Sequence, residues 1–190
     1  MPTIISRSSP VQVGSLTTWA EVSAGKYASL ARKTDGTIWT WGYNGPGGWL
    51  GIGTTAHESS PVQIGSATNW TKTVLEHATG HAINSDGKLY SWGRGNYATV
   101  GDGTVLNRNT PVQVGSLTTW GSLLFKGGTD TMAAITTGKT LFIWGTNADG
   151  ELGQGDVISR SSPVQLGSDS DWDYVACGKR HVLAIKGDQA

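Results

Sequence analysis

The sequence predicts an all-β fold: a β-propeller of four-stranded blades, present in part as about 3.5 repeats of ~51 residues. Three observations predict it. Separate markers share one internal period, strand-length segments alternate with turn residues, and the strands are apolar on both faces. "PVQVGSLTTW" fills residues 10–19 and returns unchanged at 111–120, with "PVQIGSATNW" at 61–70 and "PVQLGSDSDW" at 163–172. Pro10, Pro61, Pro111 and Pro163 are therefore 51, 50 and 52 residues apart. A second series is "DGTIWTWG" (35–42), "DGKLYSWG" (86–93) and "GKTLFIWG" (138–145), and a third is "LGIG" (50–53), "VGDG" (100–103) and "LGQG" (152–155). The chain reads as a single repeat domain, 1–190, with modules at about 10–60, 61–110 and 111–162 and a truncated fourth at 163–190.

Each module divides into four strands. In the first, "WAEVSAG" and "YASLARK" are strand candidates, and Asp35-Gly36 leads into "TIWTWG". Asp-Gly suits a type I′ hairpin, in which both central residues take positive φ, and Asp86-Gly87 repeats it. A Gly-rich loop follows, then "PVQIG" as the outer strand. Pro61 is expected at the first position of that strand, where an edge needs no ladder donor. No segment sustains a 3.6-residue apolar period, so little or no helix is expected.

The third strand shows how modules pack. Trp39, Tyr90 and Phe142 align across modules, as do Trp41, Trp92 and Trp144, and within each strand the two share a face. The other face carries Ile38, Leu89 and Leu141 with Thr40, Ser91 and Ile143. A sheet with one wet face would alternate more cleanly. Two apolar faces suit a small sheet held between two like itself.

With "AGKYASLARKTDGTIWTWGYN", "LGIGT" and "SPVQIG" in sequence, the module resembles the repeat of the regulator of chromosome condensation family. "TNADGELGQG" at 146–155 is close to that family's Asn-x-x-Gly-Gln-Leu-Gly-x-Gly loop, and His181 in "CGKRHVLAI" stands where the family has a histidine. Ala28 and Thr79 replace it in the first two modules. The resemblance implies a seven-bladed propeller.

Written as inner strands A and B, third strand C and outer strand D, the chain reads as one D strand, three ABCD sets and a final AB pair. Aligned at a distance of 153, Gly178 falls on Gly25 and Leu183 on Leu30. Closure of the chain on itself would require about 90° between blades where seven need about 51°. The expectation is therefore a propeller completed by a protein partner or a second copy, with a consequent tendency to oligomerise.

Composition excludes several classes. The 14 basic and 14 acidic residues cancel, and no basic stripe suggests nucleic-acid binding. No apolar stretch approaches the roughly 20 residues of a membrane helix, and "MPTIISRSSP" shows no charged leader followed by an apolar run. Cys177 is the only cysteine, so no internal disulfide forms. His77 and His81 stand four apart, but on a strand that places them about 13 Å from each other, and no third ligand is evident. No nucleophile elbow, phosphate loop or framed carboxylate pair is present, so neither catalysis nor a cofactor or metal is expected.

Trp19, Trp70, Trp120 and Trp172 follow the repeat, as do Trp41, Trp92 and Trp144, and they read as packing. A ligand site should break the repeat. Tyr43 and Trp49 in the first module and Arg94 and Tyr97 in the second do so, in equivalent loops. Aromatics and arginine are good anchors for protein or glycan contact. The sequence thus points to a non-enzymatic interaction or structural module that presents loops to another protein, and the near-identity of its repeats suggests a virion or cell-surface component. A glycan-binding lectin is the second reading. Guanine-nucleotide exchange, implied only by the family resemblance, is the third, and no loop insertion supports it.

Overall fold

A computed structural model describes residues 9–15, 17–123, 130–178 and 181–187 of the chain. These residues form fourteen strands and no helix. The first sheet contains β1 (Trp19–Ala24), β2 (Ala28–Lys33), β3 (Ile38–Gly42) and β4 (Glu58–Gln63) in that order, every pair antiparallel. The second repeats it with β5 (Trp70–Glu76), β6 (Thr79–Asn84), β7 (Leu89–Gly93) and β8 (Arg108–Gln113). The third has β9 (Trp120–Leu123), β10 (Thr131–Thr136), β11 (Leu141–Gly145) and β12 (Arg160–Gln165). A fourth holds only β13 (Trp172–Cys177) and β14 (Val182–Lys186). Successive sheets pack face to face in chain order, the arrangement of consecutive propeller blades.

Each blade-to-blade interface combines apolar packing with a few backbone anchors. Leu30, Ile38, Leu50, Ile64, Trp70, Leu75, Ala82 and Trp92 form one core between the first and second sheets. Across it, the Glu21 carboxylate accepts hydrogen bonds from Thr73 N (3.1 Å) and Thr73 Oγ1 (3.2 Å), and Leu75 N donates to Ser23 Oγ (2.9 Å). The hairpin tips tie each sheet to the next: Trp70 N donates to Gly36 O, Trp120 N to Gly87 O and Trp172 N to Lys139 O, all at 3.1 Å. The two faces read from the third strands are as expected, with Ile38, Leu89 and Leu141 fully buried on one and Trp92 and Trp144 on the other.

Three local expectations are corrected. The hairpins at Asp35-Gly36 and Asp86-Gly87 are not type I′, because only Gly36 (φ 78°) and Gly87 (φ 70°) take positive φ. Gly36 N donates to Lys33 O, and Lys33 N to Thr37 O, which makes a three-residue loop ending in a glycine bulge. Asp35 instead caps the turn: its carboxylate accepts from Thr37 N (2.9 Å) and Thr37 Oγ1 (2.7 Å), and these bonds lower its pKa. In the third sheet the bulge position falls on Lys139, at φ 58°.

Pro61 is not the first residue of its strand but lies inside β4, as Pro111 and Pro163 lie inside β8 and β12. Each sits on the outer edge strand where the register with the third strand slips, so the missing N–H breaks no regular ladder. Residues 10–14 form no strand and are exposed, which leaves fourteen strands where the repeat reading has fifteen. A fourth strand pairs with a third strand (β4 on β3, β8 on β7), and residues 10–14 have no such strand beside them among the described residues.

Candidate functional site

In the first two blades the turn from the first strand to the second and the long loop from the third to the fourth emerge at the same end of the sheet. Tyr43 N donates to Tyr27 O (2.9 Å), joining the two in the first blade, and Arg94 N to Ala78 O (3.0 Å) does so in the second. The long loop is shaped by a buried asparagine. Asn44 Oδ1 accepts from Leu50 N (3.0 Å) and its Nδ2 donates to Thr54 O (2.7 Å). Asn147 does the same, accepting from Leu152 N (2.8 Å) and donating to Asp156 O (2.9 Å). In the second blade Gly95 takes this place and its N–H donates to Asn107 Oδ1 (2.9 Å). Each loop is thus a rigid platform for the side chains it carries.

On the first platform five aromatic rings come together. Tyr43 meets Trp49 edge-on at 5.3 Å, and Tyr27 stacks with Trp49 at 6.4 Å and meets Tyr43 at 5.8 Å. His57 lies 4.5 Å from the Tyr43 ring, and His77 lies 6.4 Å from Trp49. Lys26 Nζ sits 4.9 Å over Tyr27. Tyr27 (53 %) and Tyr43 (41 %) are exposed, whereas Trp49 is half-buried beneath them. The indole also lies against Gly45, where a Cβ would stand 2.4 Å from it, so the ring is held by backbone as well as by its neighbours. Rigid aromatics with one face packed and one face wet suit a contact surface.

Arg94 and Tyr97 form a second, smaller unit. The guanidinium lies 4.1 Å over the Tyr97 ring and donates to Asn96 Oδ1 at 2.7 Å. His77 links the two units: its pKa is lowered by partial burial first and then by the positive charges of Lys26 and Arg94. The four residues singled out in the sequence therefore lie in two neighbouring clusters at one end of the blades. Tyr27, His57 and His77 were missed. Tyr27 carried the same signal as Trp49, since Ala78 and Asp130 stand at its place in the next two repeats.

Trp70, Trp92, Trp120 and Trp144 lie between blades. Trp92 and Trp144 are fully buried and Trp70 and Trp120 nearly so, while Trp19, Trp41 and Trp172 are half-buried in the first and last sheets. Trp92 lies under Gly51 of the first blade's loop and Trp144 under Gly101 of the second's, where Trp144 Nε1 donates to Thr99 O (2.9 Å). His77 occupies the β5–β6 turn at φ 42°, whereas His81 is buried in β6 with Nδ1 2.7 Å from Ser91 Oγ. Burial holds the His81 imidazole neutral, with its pKa lowered to about 3. Cys177 is also buried, and burial, with Glu76 adding to it, raises its thiol pKa to about 12. Among the described residues no group of three or more His, Cys, Asp or Glu is placed to hold a metal ion.

Comparison with known proteins adds to this geometry. A family model described as the regulator of chromosome condensation (RCC1) repeat matches residues 86–133 and 140–185, and a second model of the same description matches 19–47. The ultraviolet-B receptor UVR8 of Arabidopsis thaliana is 29% identical over 174 residues, covering 88% of this chain and 39% of the receptor. The human E3 ubiquitin-protein ligase HERC2 is 30% identical over 170 residues, covering 84% of this chain and 4% of the ligase. Among solved structures, Prp20p of Saccharomyces cerevisiae superposes with a TM-score of 0.78 at 18% identity, covering 92% of this chain and 45% of that one. The chain thus spans two fifths or less of the length of these curated relatives.

Proposed function

The chain belongs to the regulator of chromosome condensation (RCC1) repeat family, and from that premise we propose that it is a non-enzymatic propeller module that binds another protein through the aromatic end of its first two blades. One observation carries this reading. Tyr27, Tyr43 and Trp49 form a preformed aromatic surface on loops of the first blade whose residues depart from the repeat. Rigid aromatic anchors lose little side-chain freedom on binding and account for most of the energy at many protein interfaces. The solved relative superposing at 0.78 is described with its binding to Gsp1p and histones, which supports protein contact as a use of this fold.

We further infer a structural setting on a virion or cell surface, on the strength of the near-identical repeats, and a ring completed by a further chain. The test of the binding surface is affinity capture with the whole chain and with a Tyr43→Ala/Trp49→Ala variant of unchanged melting temperature. A protein retained by the first and lost by the second is the expected result. Equal capture by both sinks the reading. Binding to a glycan array that disappears in Trp49→Ala transfers the site to a lectin. Accelerated nucleotide release from a small GTPase would favour exchange activity instead.

A further inference from the structure

The three long loops are each closed by a hydrogen bond from a backbone N–H at the start of the loop to a side chain at its end. The repeat sets which side chain accepts. Immediately before or at the fourth strand the modules carry His57, Asn107 and Ser159 in equivalent places. Asn107 Oδ1 accepts from Gly95 N (2.9 Å), and Ser159 Oγ accepts from Asn147 N (3.1 Å). In the first blade His57 Nδ1 accepts from Asn44 N (3.0 Å). Of the three loops, only the one that carries the aromatic surface is closed by a titratable acceptor.

An amide oxygen or a hydroxyl accepts in neutral and mildly acidic solution alike, whereas an imidazole nitrogen accepts only while it carries no proton. The bond to Asn44 therefore needs the neutral ring with its hydrogen on Nε2. A proton on Nδ1 would set donor against donor, and a buried N–H without an acceptor is costly. Asn44 is buried, so its N–H depends on this acceptor, while His57 is exposed and has water to turn into once charged. The bond also stands upstream of both anchor rings. Tyr43 precedes Asn44 and its ring lies 4.5 Å from His57, and the Asn44 side chain accepts from Leu50 N, next to Trp49. Among charged and titratable groups, Glu58 follows His57 in β4 and Tyr43 lies against it. Beyond Tyr43 and Trp49 come Tyr27 with Lys26, and His77 with Arg94 and Asp130.

We propose that His57 is a proton-operated latch on the aromatic surface. Near neutral pH its ring accepts from Asn44 and holds Tyr43 and Trp49 in their packed arrangement. On acidification the ring takes up a second proton, gives up the bond and turns to solvent, and the loop carrying the two anchors loosens. The closed loop refuses a proton that the open loop accepts, so closure is favoured at higher pH and is lost as pH falls through the titration of the ring. Histidine changes charge between about pH 5 and 8, so the latch works in a range that proteins meet. Contact through Tyr43 and Trp49 is then firm near neutral pH and weak in an acidified setting. The inference rests on the reading of this surface as the binding site and supplies its regulation.

The experiment follows the whole isotope-labelled chain by nuclear magnetic resonance from about pH 8 to about pH 5, with no partner present. We expect the hydrogen-exchange protection factor of the Asn44 amide to fall about tenfold in step with the titration of the His57 ring. The indole N–H resonance of Trp49 should move with it. The Gly95 and Asn147 amides, held by Asn107 and Ser159, are internal references that should keep their protection. His57→Asn copies the second blade and should keep Asn44 protected throughout. His77→Asn, which suits the φ of 42° at that turn, should respond as the parent does. An Asn44 amide that stays protected while His57 titrates overturns the proposal, as does an equal loss in His57→Asn. Should that variant not fold, the parent decides alone, since equal losses at Asn44, Gly95 and Asn147 overturn it too. The measurement needs no partner, so its failure leaves the binding surface to the capture test, and failed capture leaves the latch measurable.

Discussion

The first and second sheets are built from closely similar repeats and differ in what surrounds them. Val22 in β1 is 73 % exposed, whereas Thr73, at the same place in β5, is 5 % exposed and bonded to Glu21 of the blade before it. Trp41 is half-buried where Trp92 is fully buried. A propeller strand therefore owes its burial to the neighbouring sheet as much as to its own composition. Equivalent substitutions in successive blades should give unequal results, and the inequalities measure what each neighbour supplies.

The largest should be at the third-strand tryptophan. Trp92→Ala opens a cavity in the core between the first two sheets and is expected to cost about 3–5 kcal/mol. Trp41→Ala removes a half-buried ring and should cost about 1–2 kcal/mol. Urea denaturation of both variants checks the difference, and equal costs would show that the interface gives Trp92 nothing extra.

Next comes a pH effect that separates His81 from Leu30, its counterpart in the first blade. The folded imidazole has a pKa of about 3 against the usual 6.5. Between those values the unfolded chain binds a proton that the folded one refuses, so stability present above pH 6.5 is lost as pH falls toward 3. A His81→Leu/Ser91→Thr variant copies the Leu30–Thr40 pair of the first blade. It should lose on the order of a few kcal/mol less than the parent between pH 7 and pH 4. Parallel acid-stability curves would show that His81 is not held neutral.

The smallest effect belongs to the hairpin bulge. Gly36 and Gly87 take positive φ without a side chain, whereas Lys139 does so at φ 58° with one. Lys139→Gly should relieve up to about 1 kcal/mol of backbone strain and forfeit the exposed contact between Lys139 Nζ and Asp173 (2.7 Å), a few tenths of a kcal/mol. The net gain should raise the melting temperature by about 1–3 °C. A fall would mean that the ion pair outweighs the strain.

The period, the four-stranded unit and the two apolar faces of the third strand were legible in the sequence because they recur in register every ~51 residues. What escaped was set by contacts between blades or by turn geometry. Asp35-Gly36 has a composition that several hairpins share, and the hydrogen bond that Gly36 O accepts comes from Trp70 N of the next sheet. His81 was set aside as a metal ligand, but its burial beside Ser91, in a place that leucine and alanine fill in other blades, is not written in the local sequence. Residues 10–14 match three true strands in sequence but have no strand to pair with among the described residues. At the aromatic surface Trp49 and Tyr43 stood out by breaking the repeat. Tyr27, just as irregular, reaches the same cluster through a backbone bond between two loops that local reading does not connect.

The indole beneath the preceding glycine loop has a bearing on inheritance. At the two junctions between complete blades, a loop of one period covers the tryptophan of the next, Trp92 under Gly51 and Trp144 under Gly101. A stretch of DNA copied in tandem by one whole period would add a blade whose two new junctions are already matched, with no compensating mutation. A copy cut to any other length would leave a ring without its cover. Such arrays can lengthen by unequal crossing-over in whole steps, and the unchanged return of "PVQVGSLTTW" after two periods is the kind of trace that process leaves.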